Sequence, residues 1–84
     1  MTNKEIIKKQ IIYRSIHRGT KEMDLLLGTF VKKNIEKLDE KDLNDLNDLL
    51  FIDDEAISDW YFKGKKNQHF PNTNITRIFK SFKL

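Results

Sequence analysis

The chain has 84 residues, no cysteine and one proline, with 35% charged and 38% hydrophobic side chains. That is enough for one small domain of thin core, with neither a disulfide framework nor a thiolate metal site. No apolar run approaches the roughly 20 residues that span a bilayer, and the first residues lack the unbroken apolar core of a secretory signal. The formal net charge of +3 hides a segregated pattern. Residues 1–21 carry six basic and one acidic side chain, residues 22–62 four basic and twelve acidic, and residues 63–84 six basic and none acidic. An acidic middle between basic ends gives a polarised surface if the ends meet in the fold. Solvated helix faces account for the same pattern.

The spacing of Ile7 with Ile11 and of Ile12 with Ile16 predicts a first helix over residues 4–18. Gly19 is expected to stop it in a left-handed conformation that costs glycine nothing. Thr20 is placed to cap the second helix, over residues 21–37, with Glu22 and Asp24 in its first turn beside the positive end of the dipole. Met23, Leu26, Leu27, Phe30, Val31, Ile35 and Leu38 follow the spacing of a core-facing helix. Gly28 lies inside that pattern, where a glycine lets a neighbouring helix approach closely. Asp39 predicts the cap of a third helix through Leu43, Leu46, Leu49 and Leu50, ending near Phe51 or Ile52. Asp53 or Asp54 starts a fourth, carrying Ala56, Ile57, Trp60 and Tyr61. Residues 63–74 read as a loop with Gly64, His69 and Pro71. Ile75, Ile78, Phe79 and Phe82 predict a last helix over residues 73–82. The expected architecture is all-α, a single domain over residues 1–84 built as a compact bundle of about five short helices.

Little in these residues points to catalysis. His17 and His69 are the only histidines, and neither has the partner spacing of a metal site. There is no phosphate-binding glycine loop and no nucleophile–base set. Glu22 and Asp24, two apart on a helix, point to different faces and do not form an acid–base pair. The basic, aromatic C-terminal stretch offers a nucleic-acid reading. Phe79 and Phe82, however, fall on the apolar face with Ile75 and Ile78. Trp60 reads as core, with Tyr61 and Phe62 partly exposed. What helix punctuation leaves without a structural role is Arg18 and Glu22.

The stretch YRSIHRGTKEMDLLLGTF resembles the core of the succinate dehydrogenase assembly factor 2 family, the small helical flavinator proteins called SdhE in bacteria. Arg18, Gly19, Glu22 and Asp24 meet its R-G-x-x-E-x-D signature, followed by Leu25-Leu26-Leu27-Gly28 and Phe30. The leucine-rich acidic helix, Asp53-Asp54 and Asp59-Trp60 resemble the family's later D-W region, so that the likeness covers about residues 11–62. His17 stands where the family often has a second arginine, and Asp53-Asp54-Glu55 replaces its usual Asp-Pro-Asp. The resemblance implies a chaperone-like assembly factor and not an enzyme. Such a factor binds the flavoprotein subunit of succinate dehydrogenase, in some bacteria of fumarate reductase, and promotes covalent attachment of FAD to a histidine there. It implies that Arg18, Gly19 and Glu22 form the docking patch, with His17 and Asp24 beside them. It further implies no stably bound cofactor of the chain's own, FAD being the partner's, and no metal. A monomer in the bacterial cytoplasm, or alternatively the mitochondrial matrix, is expected, with no nucleic acid and no membrane insertion. An antitoxin-like binding module and a small basic nucleic-acid-binding domain are the competing readings.

Overall fold

The computed structural model describes residues 2–66 and 70–84; His69 lies outside them. Among the described residues there is no strand, and the chain runs through five helices. These are α1 (Asn3–Ile16), α2 (Lys21–Asn34), α3 (Glu40–Leu49), α4 (Asp54–Phe62) and α5 (Asn74–Ser81). A 3-10 turn, Ile35–Lys37, tightens the end of α2 where continuous α-helix was expected.

Each helix begins at a residue whose side-chain oxygen accepts an otherwise orphaned backbone N–H. Thr20 accepts from Met23 at 3.2 Å, Asp39 from Asp42 at 2.8 Å and Asp53 from Ala56 at 2.8 Å. Thr73 and Thr76 close a reciprocal capping box at the start of α5. Such caps contribute about 1 kcal/mol each. They matter here because the Asn and Asp positions of α3 are poor helix formers.

The core is built around α2, whose Met23, Leu26, Leu27, Phe30 and Val31 are buried. α1 packs on α2 and α3, and α3 on α5. Gly28 makes the first of these contacts possible: a Cβ there would lie 3.1 Å from Ile16 Cγ2. Gly28→Leu is therefore expected to lower stability by about 1–3 kcal/mol by overpacking, read from the midpoint of urea unfolding at constant slope. α1 buries Ile11 fully, whereas Ile6, Ile12 and Ile16 remain substantially exposed, the apolar arc of this helix being wider than the face that α2 and α3 cover.

The C-terminal aromatics belong to the fold. Phe79 is buried, with its ring 5.0 Å from Phe30 and 4.9 Å from Tyr61. Phe82 meets Phe30 edge-on at 5.3 Å, and these packed rings are not free stacking platforms. Trp60 is half-buried between Phe70 and Phe79, 4.4 and 5.9 Å from their centroids. Tyr61 donates its O–H to the Phe82 carbonyl, and burial pushes its phenol above the usual range. Phe62 is exposed. Among the described residues, no helix is long and apolar enough to cross a membrane.

Gly19 does not terminate α1 in the expected way. Among the described residues the only glycine with a positive φ is Gly64, at 68°. α1 ends instead at His17, whose φ of −118° and ψ of 55° leave the helical region. His17 Nδ1–H donates to the Tyr13 carbonyl at 2.7 Å, satisfying one of the acceptors that a helix end leaves open.

Candidate functional site

Where α1 turns into α2, the chain meets the turn between α3 and α4, and Arg18 joins them. Its Nε donates to Asp54 Oδ1 at 2.7 Å, Nη1 to the Leu50 carbonyl at 2.5 Å and Nη2 to the Ile52 carbonyl at 2.7 Å. Leu50 is the C-cap of α3, so the guanidinium sits at the negative end of that helix and takes up carbonyls that no helical N–H reaches. Asp54 sits one residue past the Asp53 cap, at the positive end of α4. The Arg18 side chain is only 9% exposed. This corrects the reading that the fold leaves Arg18 without a role: its guanidinium is a clamp between two helix–helix turns.

Asp54 also reaches Gly19. Its second oxygen accepts the Gly19 N–H at 2.6 Å, and a Cβ at position 19 would stand 3.0 Å from that same oxygen. The glycine is thus needed for close approach, not for backbone handedness. Asp24 completes the turn by accepting the Arg18 N–H at 2.6 Å. Asp24 therefore faces the turn, whereas Glu22 is exposed. The two carboxylates fall on different sides of α2, as their spacing requires.

Two open grooves meet at Gly19. The first is walled by Tyr13, His17, Phe51 and Ile52, with Arg18 and Asp54 along it. The second runs between Glu22 and Met23 on one side and Glu55 and Ser58 on the other. Gly19 is the bare strip of backbone they share. His17, Arg18, Gly19, Glu22 and Asp24 are brought together as one turn and the first turn of a helix. The residue missed by sequence reasoning is Asp54, whose pairing with Arg18 spans 36 positions. Among the described residues, no cluster of three or more His, Cys, Asp or Glu side chains is placed to hold a metal ion.

Fold and site together define a small helical protein whose most organised polar feature is a rigid outward-facing turn. Residues 9–83 match the family described as the flavinator of succinate dehydrogenase, and the chain belongs to that family. It is 46% identical over 59 residues to succinate dehydrogenase assembly factor 2, mitochondrial, of Dictyostelium discoideum, covering 70% of this chain and 42% of the relative. It is 34% identical over 55 residues to FAD assembly factor SdhE of Acetobacter pasteurianus, covering 66% and 50%. Against succinate dehydrogenase assembly factor 2 of Saccharomyces cerevisiae it is 37% identical over 73 residues, covering 84% and 45%. The chain thus spans about half the length, or somewhat less, of the curated relatives it matches. No solved structure matches it significantly.

Proposed function

We propose that the chain is an assembly factor that binds the flavoprotein subunit of succinate dehydrogenase and promotes covalent attachment of FAD to it. The observation that carries this reading is the Arg18–Asp54 clamp in a member of the flavinator family. It ties the Gly19 backbone to Asp54, with Glu22 exposed on the helix turn that follows, and a turn braced in this way supports docking at little ordering cost. Arg18 and Asp24 act as positioning residues, while Gly19, Glu22 and His17 supply the contact surface. The bare backbone at Gly19 admits a close approach that any side chain would obstruct.

The chain acts without catalysing the step itself, which belongs to the flavin and the acceptor histidine of the partner. Its contribution is to favour the arrangement of the flavoprotein in which that histidine and the flavin lie within reach. Differential binding of that conformation raises its population, and orientation of the reacting groups supplies the rate. The FAD on this reading belongs to the partner, and the chain holds none stably of its own. On this reading the chain works where the flavoprotein folds, in the bacterial cytoplasm, with the mitochondrial matrix as the alternative.

Co-expression with a succinate dehydrogenase flavoprotein subunit, in cells lacking any flavinator of their own, tests the proposal. Flavin fluorescence of the subunit in a denaturing gel is expected to rise when the chain is present. Equal fluorescence with and without it would sink the reading.

A further inference from the structure

The first groove has walls that the Gly19 turn does not need. Tyr13 is 62% and Phe51 67% exposed, one in the last turn of α1 and the other in the turn after α3, along the same groove. Neither ring stands unsupported. Tyr13 stacks on His17 with centroids 4.0 Å apart and planes 19° from parallel. The Arg14 guanidinium lies 4.4 Å from the Phe51 centroid, and its Nη1 donates to Asn47 Oδ1 at 2.6 Å. Exposed aromatic and half-buried arginine side chains already held in place lose little freedom on binding, which is the condition under which they become binding hot spots.

The charges of the groove are unequally matched. Asp54 is engaged by Arg18 and Gly19, and Asp53 by the Ala56 N–H it caps. Arg14 bonds an amide oxygen and no carboxylate among the described residues, although its planar fork is shaped to receive one. We infer that this groove selects the partner: an apolar side chain of the flavoprotein seats between Tyr13 and Phe51, beside a flavoprotein carboxylate that pairs with Arg14. The occupant is the flavoprotein because Arg18, Gly19 and Asp54 line this groove and build the turn as well, so a partner on the turn extends over the groove without a break. The inference rests on the docking function proposed above.

The test is a titration of purified apo flavoprotein subunit against the wild-type chain and against Phe51→Ser, Tyr13→Ser, Arg14→Glu and Glu22→Ala. Thermal unfolding of each variant is monitored in parallel. Phe51→Ser is expected to weaken binding at least about ten-fold, as a hot-spot truncation does, with little change in melting temperature because the ring is exposed. Arg14→Glu is expected to weaken it further by setting two carboxylates against each other. Binding within about two-fold of wild type for both Phe51→Ser and Tyr13→Ser overturns the inference. If Glu22→Ala abolishes binding in that same experiment, the docking function stands without the groove. Failure of the wild-type chain to bind overturns both. A dimer of the chain that Phe51→Ser dissolves assigns the groove to a second copy and likewise overturns the inference.

Discussion

Arg18→Ala is expected to lower the free energy of unfolding by about 3 kcal/mol, the low end of what removing one partner of a buried ion pair costs, because Asp54 stays 21% exposed. The loss has three sources. Asp54 keeps the Gly19 N–H but loses its cation, and the Leu50 and Ile52 carbonyls lose their donor in a half-buried turn. The negative end of α3 then loses the cation beside it, while Asp54 still faces the positive end of α4. A domain of this length is stable by only about 4–13 kcal/mol, so the substitution removes a large part of the total. Arg18→Lys separates charge from geometry. An ammonium keeps the positive charge but cannot spread three donors in one plane toward Asp54, Leu50 and Ile52. It is expected to lose about 1–3 kcal/mol, on the basis of the hydrogen bonds forfeited. Urea unfolding of the three proteins measures the series, and an Arg18→Ala loss below about 1 kcal/mol would mean that Arg18 does not clamp the two turns together.

Glu22→Ala should behave in the opposite way, leaving stability within about 0.5 kcal/mol of wild type because the side chain is an exposed one. Its effect falls on the partner. If Glu22 is a central contact of the docking surface, its removal costs about 2 kcal/mol or more of binding, some thirty-fold in affinity. Covalent flavin on the co-expressed subunit then falls toward the level seen without the chain. Gly19→Arg is expected to reach the same endpoint by two routes. It fills the strip between the grooves, and its Cβ crowds the Asp54 oxygen that holds the turn. A stability loss of about 1–3 kcal/mol accompanies it from that crowding. The pair of variants therefore separates contact from shape: Glu22→Ala loses function while folded as before, and Gly19→Arg loses both in part. Full activity in Glu22→Ala would remove that residue from the docking surface.

The helices were legible because their signals are local. Thr20 and Asp39 announce helix starts by their spacing from the apolar residues that follow, and Gly28 announces a close approach within α2. All three are decided within a turn or two of chain. The end of α2 was less legible, since Ile35 and Leu38 continue its apolar spacing and conceal the change to a 3-10 turn. Ile12 and Ile16 share the spacing of core residues yet stay exposed, because periodicity does not say how much of a helix its neighbours cover.

The turn from Arg18 to Asp24 shows where local reading stops. A glycine at the end of one helical pattern, followed by a threonine at the start of the next, looks like a left-handed stop. The structure uses the missing Cβ for Asp54 instead. Nothing near Arg18 in the chain discloses that its partners are Leu50, Ile52 and Asp54, more than thirty positions on. Family likeness drew attention to these residues, and the tertiary contacts give them different surroundings. Arg18 and Asp24 hold the turn from within, while Gly19 and Glu22 face outward.

Purified components test most directly whether the chain promotes flavin attachment. Apo flavoprotein subunit is incubated with FAD, with and without the chain, and the intact mass of the subunit is followed over time. The covalent flavin adduct is expected to accumulate faster when the wild-type chain is present, and Glu22→Ala to leave it near the rate without any chain. The same rate of adduct formation with and without the wild-type chain would contradict the proposed function.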